Sequence, residues 1–172
     1  PSKGGFIELC VRRAGEFTQL LHEMQCGDVV GIRGPYGHPF PFDEMKGHDI
    51  LLVAGGLGIA PLRSLINNIH DERSEFGNVT IIYGSKNPGE VMFRDQFEMW
   101  RHRQDFDLYL TVDHPDDTWD GEVGLVTAPF AHLDIDAGNT YGAVCGPPVM
   151  YKFVVEEMRK KGISYDHIYM SF

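Results

Sequence analysis

The 172-residue sequence predicts an α/β fold in which a parallel sheet carries helices on both faces. From about Gly47 onward, short apolar runs alternate with segments whose apolar residues recur at helical spacing. The run 50–54 contains no charge, which is typical of a strand buried on both faces. This pattern predicts five strands, at 50–54, 79–84, 107–113, 141–145 and 168–171.

Helices are predicted between these strands, from Pro61 onward, over 90–103 and over 148–161. Each has one apolar stripe, which indicates the face that packs on the sheet. The stripes are Leu62, Leu65, Ile66 and Ile69, then Phe93, Phe97 and Trp100, then Met150, Val154 and Met158. Residues 119–127 are predicted to form a turn that leads to a short helix.

The first 46 residues have a different pattern and predict a separate, smaller domain, with residues 47–172 forming the larger one. Ile7, Leu9 and Val11 alternate as in a half-buried strand, 18–24 is predicted to be a short helix, and 29–33 a second strand. Two strands and a helix cannot cover their own edges. We therefore expect the sequence to begin inside a larger domain.

Composition and charge exclude several classes of protein. A formal net charge of −10 disfavours nucleic-acid binding, and no apolar run approaches the roughly 20 residues that span a bilayer, so we expect no membrane insertion. Three cysteines without a CxxC pair suit a reducing compartment, and we expect a cytoplasmic protein. The eight histidines show no ligand spacing, so no metal site is expected.

A glycine turn joins the first of the five strands to its helix. Gly55, Gly56 and Gly58 allow a close backbone approach, and helix starts of this kind bind anions such as a diphosphate. Pro61 is predicted at the first helical position. The second strand ends in Gly84-Ser85-Lys86 without the acidic residue of the common dehydrogenase fingerprint, which weakens that interpretation. A glycine turn that binds no ligand stays open as an alternative.

Three further motifs have both a structural and a ligand-binding interpretation. Gly15-Glu16-Phe17-Thr18 starts a helix with a capping threonine and suits either plain capping or a pyrophosphate. Gly34-Pro35-Tyr36-Gly37 is a rigid turn whose aromatic side chain either stacks on a flat ring or closes a hinge. Cys145-Gly146-Pro147-Pro148 follows a strand at the carboxyl edge of the sheet, where Cys145 is either a small buried hydrophobe or a cofactor contact.

The order of these motifs resembles the ferredoxin-NADP reductase superfamily along essentially the whole chain. Arg33–Gly37, Trp119-Asp120-Gly121 and the ending 168–172 look most like the gamma subunit of cytoplasmic hydrogenases and its counterpart in anaerobic sulfite reductase. The electron-transfer subunit of dihydroorotate dehydrogenase is a similar family. The resemblance implies that residues 1–46 are the tail of an antiparallel FAD-binding barrel. It also implies that residues 47–172 are an NAD(P)-binding lobe with strand order 3-2-1-4-5.

The resemblance also implies roles for individual residues. Cys145 would lie near the reactive carbon of the nicotinamide, as a packing contact and not as a nucleophile. Lys86 would meet a 2′-phosphate, whereas Asp113 would repel one, and this balance favours NADH. The implied cofactor-binding residues are Gly15, Phe17, Thr18, Gly34, Tyr36, Gly37, Gly55, Gly56, Gly58, Ile59, Ala60, Pro61, Gly84, Ser85, Lys86, Asp113, Gly146, Pro147, Pro148 and Met150.

The implied function is electron transfer in a multisubunit redox complex of the hydrogenase or sulfite reductase type. Hydride would pass between NAD(P)H and FAD, and electrons would continue to an iron–sulfur chain in partner subunits. The family's flavin-binding signature is expected before Pro1, and its two-iron two-sulfur motif after Phe172. The alternative is a non-catalytic nucleotide-binding or scaffold module that retains the fold.

Overall fold

The computed structural model describes residue 5, residues 7–102 and residues 106–171. The chain divides into two compact units, Pro1–Pro39 and Phe40–Phe172.

The larger unit contains one six-stranded sheet in which every strand pair is parallel. Its strand order is β4-β3-β2-β1-β5-β6. The strands are β1 (Asp49–Gly55), β2 (Val79–Ser85), β3 (Asp107–Val112), β4 (Glu122–Val123), β5 (Thr140–Cys145) and β6 (Ile168–Ser171). The five predicted strands form in the predicted order, but the prediction of five strands is wrong because β4 adds a sixth beside β3. A strand of two residues is too short to produce an alternating pattern in the sequence.

Three helices connect the strands of this unit: α2 (Ile59–Asp71), α3 (Arg94–His102) and α4 (Pro148–Lys160). Helix α2 begins earlier than predicted, so Pro61 is its third residue and not its first. The proline costs nothing there because the amides of the first helical turn lack intrahelical partners.

Helix α3 begins four residues later than predicted. A single 3₁₀ turn at Pro88–Glu90 precedes it, and Phe93 has a left-handed backbone with φ 56°, which interrupts the predicted helix. The predicted end of the helix at residue 103 lies outside the described residues.

The core of the larger unit consists of two apolar layers, one on each face of the sheet. Along β1, Ile50, Leu52 and Ala54 face one layer with α2 and α3, whereas Leu51 and Val53 face the other layer with α4. The predicted helical stripes supply most of the helix side chains in these layers. Each fully buried isoleucine or leucine stabilises the fold by roughly 1.5–3 kcal/mol relative to an exposed one.

The smaller unit contains one helix, α1 (Glu16–Glu23), and no strand within residues 7–39. The strands predicted at 7–11 and 29–33 are therefore wrong for this structure. Their apolar side chains are exposed: the exposed fraction is 73% for Ile7, 93% for Val29 and 63% for Ile32. A strand is stabilised by pairing with a neighbour and by a covered face, and neither segment has a paired strand here. The tail of a barrel stays a prediction.

Candidate functional site

The strand order reverses beside β1, which pairs with β2 on one side and with β5 on the other. The chain leaves β1 into α2 on one face of the sheet and leaves β5 into α4 on the opposite face. Two turns that diverge in this way open a crevice at the carboxyl edge of a parallel sheet, and such crevices are where α/β proteins bind ligands. Gly55–Gly58 forms one wall and Cys145–Pro148 the other.

Gly58 has no side chain because the backbone of the opposite turn occupies the space. A Cβ atom at Gly58 would overlap the carbonyl group of Cys145 and lie 2.7 Å from the amide nitrogen of Gly146. The sequence suggested that this glycine makes room for a ligand, whereas the structure shows that it makes room for the chain itself. Gly58 therefore allows the main chains of the two walls to pack against each other.

Gly56 is the glycine of this turn that faces open space. Its φ is +52°, in the left-handed region, and a Cβ atom there would meet nothing within 4 Å. Ile59 points its side chain into the core and donates its amide to the carbonyls of Gly56 and Leu57. Ala60 is half-buried and Pro61 exposed, in the first turn of α2. The start of α2 thus presents main chain and small side chains at the crevice, which fits a diphosphate.

Met150 lies beneath the crevice. A Cβ atom on Gly55 would lie 2.5 Å from its sulfur, and one on Gly146 would lie 2.5 Å from its terminal methyl group. Its side chain is only 8% exposed and belongs to the core layer of α4. Met150 therefore supports both turns from below, and the absent side chains of the two glycines are what allow them to rest on it.

Cys145 ends β5, is 8% exposed and carries a protonated thiol. Burial raises its pKa above the ordinary value, and hydrogen bonds with Tyr151 and Ser171 offset only part of that increase. A nucleophilic cysteine needs the opposite shift. The geometry thus suits a packing contact, and the prolines that follow, Pro147 and Pro148, are exposed at the start of α4.

The ends of β2 and β3 meet at the same edge of the sheet. Asp113 donates its amide to the Ser85 carbonyl at 3.0 Å, and His114 donates its amide to the Lys86 carbonyl at 2.8 Å, so the pairing continues past both strands. Ser85 is buried and donates its hydroxyl to the Asn87 carbonyl at 3.3 Å, whereas Lys86 and Asp113 are exposed. The structure brings this cation and this anion to one edge of the sheet, and their roles in the choice between NADH and NADPH stay a prediction.

Gly84 lacks a side chain for a structural reason. A Cβ atom there would lie 2.8 Å from that of Val126. The residue is needed for packing against the segment that follows β4.

The remaining predicted residues belong to the smaller unit. Gly15 precedes α1 and Thr18 is the third helical residue, so the prediction that threonine begins the helix as its cap is wrong. Its hydroxyl instead reaches back and accepts hydrogen bonds from the amides of Ala14, at 2.9 Å, and Gly15, at 3.0 Å. Phe17 is 69% exposed.

Residues 34–37 are the last of the predicted cofactor-binding segments, and their rigidity stays a prediction. The turn contains a cis bond between Gly34 and Pro35, Tyr36 is 73% exposed, and Gly37 has a φ of +83°.

The amino edge of the sheet has a different chemistry. A depression of about 320 Å³ lies there, and four of its ten lining residues are aspartates: Asp49, Asp107, Asp134 and Asp136. Carboxylates repel a diphosphate, so the carboxyl edge is the better candidate for a nucleotide site.

Within the described residues, no group of three or more His, Cys, Asp and Glu side chains is arranged to hold a metal ion. None of the helices in the described segments has the length and apolar character needed to cross a membrane.

Tyr151 is a residue of the carboxyl edge that the sequence did not predict. Its hydroxyl accepts a hydrogen bond from the Gly146 amide at 3.2 Å and donates one to the Ser171 carbonyl. The stripe of α4 predicts that this helix packs on the sheet, but the partners of one hydroxyl depend on where β6 ends beside β5.

Comparison with known proteins finds two sequence families along the chain. Residues 52–156 match the oxidoreductase NAD-binding domain, and residues 1–40 match the oxidoreductase FAD-binding domain.

Two curated relatives illustrate the match. The chain is 37% identical over 177 aligned positions to the sulfhydrogenase 2 subunit gamma of Pyrococcus furiosus, covering 96% of this chain and 61% of that protein. It is also 37% identical over 151 positions to a probable dihydroorotate dehydrogenase B (NAD(+)) electron transfer subunit of Methanothermobacter thermautotrophicus, covering 85% and 50%. The chain thus spans about half to three fifths of the length of these relatives.

Among solved structures, the fold is similar to a ferredoxin NADP+ reductase from Neisseria gonorrhoeae with bound FAD and NADP. The TM-score is 0.78 at 20% identity, and the match covers 94% of this chain and 71% of the other. At that identity the likeness concerns the fold alone.

Proposed function

Because the chain belongs to the oxidoreductase NAD-binding domain family, we propose that it is part of an electron-transfer subunit that passes hydride between NAD(P)H and FAD. When bound, the nicotinamide supplies or accepts a hydride, and the flavin exchanges that pair of electrons as single electrons with an iron–sulfur chain. The observation that carries the proposal is the meeting of the turns after β1 and β5 at the carboxyl edge of the sheet, where Gly55 and Gly146 rest on Met150.

In this proposal the start of α2 binds the diphosphate. Gly56 leaves open space above its α carbon, and Ala60 and Pro61 add little bulk to the first helical turn. The positive end of the helix dipole attracts an anion without any basic side chain. Gly58 acts indirectly, because it keeps this wall close to the Cys145–Gly146 turn.

Cys145 and the turn after it line the nicotinamide end of the crevice. The thiol is neutral and small, so it packs against a flat ring without reacting with it. Gly146 and Pro147 shape the wall, and Pro148 begins α4. We expect Cys145→Ser to fold and bind the dinucleotide but to transfer hydride more slowly, with no cysteine adduct detectable by mass spectrometry.

The exposed pair Lys86 and Asp113 sets the choice between the two dinucleotides. The carboxylate accepts hydrogen bonds from ribose hydroxyls and repels a 2′-phosphate, so we propose a preference for NADH. Asp113→Ser should reduce the ratio of NADH to NADPH affinity by roughly tenfold, which corresponds to about 1.4 kcal/mol. Titration of the wild type and the variant with both dinucleotides measures this, and a strong wild-type preference for NADPH would contradict it.

We propose that the protein binds FAD and works together with partner subunits. Residues 1–40 match an FAD-binding domain, and within them the start of α1 and the turn 34–37 are the candidates for flavin contacts. The relatives named above are a gamma subunit and an electron transfer subunit, so we propose other subunits of a cytoplasmic redox complex as partners. An iron–sulfur cluster would receive the electrons. The two exposed cysteines, Cys10 and Cys26, and buried Cys145 are all free thiols, which suits a reducing compartment.

The site is tested by placing a side chain in the crevice without disturbing the fold. Gly56→Asn does so, because asparagine tolerates a left-handed backbone better than other residues and the space above Gly56 is open. Gly47→Asn is the matched control: Gly47 also has a positive φ, of +82°, and open space, but it precedes β1 at the opposite edge of the sheet.

We expect Gly56→Asn to weaken NADH binding by at least about tenfold, because a clash with the ligand removes more than 1.4 kcal/mol. Gly47→Asn should leave the affinity unchanged. Calorimetric titration of the folded variants measures both. Wild-type affinity in Gly56→Asn would show that the dinucleotide does not bind in this crevice.

A further inference from the structure

The phenol of Tyr151 is a junction between three segments of the larger unit. Tyr151 lies on the first turns of α4 and is 7% exposed. Its oxygen accepts the Gly146 amide hydrogen at 3.2 Å and donates to the carbonyl of Ser171 at the end of β6. One oxygen atom therefore connects the turn after β5, the end of β6 and the start of α4.

The roles of donor and acceptor follow from the groups present. A phenol has one proton, and the Ser171 carbonyl can only accept it, so the Gly146 amide donates to the phenolic oxygen. Burial raises the pKa of Tyr151 and that of Cys145, and both groups stay protonated near neutral pH. The junction is thus complete under physiological conditions and does not depend on a titration in that range.

We propose that Tyr151 is a positioning residue for hydride transfer, because its phenol fixes the orientation of the Cys145–Gly146 turn. This inference rests on the proposed function. The turn forms the nicotinamide wall of the crevice, and Gly146 has no side chain of its own to anchor it. Main-chain packing against Gly58 sets how close the two walls come, and the phenol sets the direction in which the Gly146 amide points.

Loss of this hydroxyl should affect chemistry more than binding. In Tyr151→Phe the ring still fills its place in the core, but the Gly146 amide and the Ser171 carbonyl lose their buried partner and the turn relaxes. Hydride transfer is sensitive to displacements of well below 1 Å, so the rate should fall by roughly tenfold or more. The diphosphate and adenosine contacts at the start of α2 and the ends of β2 and β3 do not involve the phenol.

The experiment uses the full-length protein with its flavin and compares Tyr151→Phe with Tyr165→Phe. Tyr165 is a matched control because it loses the same hydroxyl from an exposed ring, which lies over the Arg159 guanidinium at 4.4 Å. Three quantities are measured: the rate of flavin reduction by NADH in a single turnover, the affinity for ADP-ribose, which lacks the nicotinamide, and the rate at which iodoacetamide alkylates Cys145 in the folded protein.

For Tyr151→Phe we expect flavin reduction roughly tenfold slower, ADP-ribose affinity within about twofold of the wild type, and slower alkylation of Cys145, because the phenol lowers the pKa of that thiol and its loss leaves less thiolate. Tyr165→Phe should match the wild type in all three. Flavin reduction at the wild-type rate in Tyr151→Phe would overturn the inference, and so would a parallel loss of ADP-ribose affinity, which indicates general loosening of the fold.

If NADH did not reduce the flavin of the wild-type protein, the proposed function itself would be contradicted, and this inference with it.

A further measurement uses only the wild-type protein. In the wild type the amide hydrogen of Gly146 should exchange slowly with solvent, because a buried phenol holds it. Rapid exchange at Gly146 would overturn the inference even if Tyr151→Phe did not fold.

Discussion

The two units of the chain bury their apolar side chains to different extents. In the larger unit, β1 is covered on both faces, and side chains such as Ile59 and Ile66 on α2 are completely buried. In the smaller unit no described residue is buried, and α1 exposes Phe17 and Leu20 to 69% and 63%. Both units nevertheless contain apolar residues at regular spacing. Regular spacing indicates that a segment has an apolar face, whereas stability requires another element to cover that face.

The largest contrast between the units is expected at their glycines. Gly58→Ala should destabilise the larger unit by more than about 3 kcal/mol, because its Cβ atom would overlap the main chain of Cys145. Relief of that overlap would require one of the two main-chain segments to move. Gly15→Ala in the smaller unit should change the free energy of unfolding by less than about 1 kcal/mol, since Gly15 has an extended backbone and open space around it.

Chemical denaturation monitored by circular dichroism compares the two glycine variants. Equal stability of Gly58→Ala and the wild type would contradict the close contact between the β1–α2 and β5–α4 turns. Because this substitution acts on the fold, loss of nucleotide binding in a position-58 variant, including Gly58→Val, says little about the ligand, and Gly56→Asn is the better test of the site.

A smaller contrast is expected between two isoleucines. Ile66→Ala leaves a cavity beside β1 and should cost roughly 2–4 kcal/mol, whereas Ile32→Ala, at a side chain that is 63% exposed, should cost less than about 0.5 kcal/mol. Urea denaturation of the two variants gives both values. A cost at Ile32 similar to that at Ile66 would show that the apolar face of the smaller unit is covered in solution, and the contrast between the units would disappear.

The sequence predicted those elements whose signal lies within the element itself. An uncharged run predicted β1, and apolar stripes predicted the packing faces of α2 and α4. It did not predict β4, which is defined only by pairing with the end of β3, nor the later start of α3, which depends on the left-handed backbone of Phe93. The strands expected at 7–11 and 29–33 failed for the same reason, because a strand is a property of two segments.

The candidate site likewise has features that the sequence could predict and features that depend on contacts between elements. The glycine turn after β1 and the Cys145–Pro148 turn follow strands in the sequence, so their meeting at one edge of the sheet could be predicted from strand order. The support beneath them could not. Met150 appears in the sequence as one member of a helical stripe, and Tyr151 as its neighbour, yet their contacts with Gly55, Gly146 and Ser171 depend on the register of β1, β5 and β6.

Amide hydrogen exchange with and without NADH tests most directly whether the nucleotide binds between β1 and β5. We expect NADH to slow exchange at residues 55–61 and 145–150, which form the two walls and the floor of the crevice, and to leave residues 134–136 at the acidic amino edge unchanged. Slower exchange at the amino edge, or saturating NADH that leaves both walls of the crevice unprotected, would contradict the account.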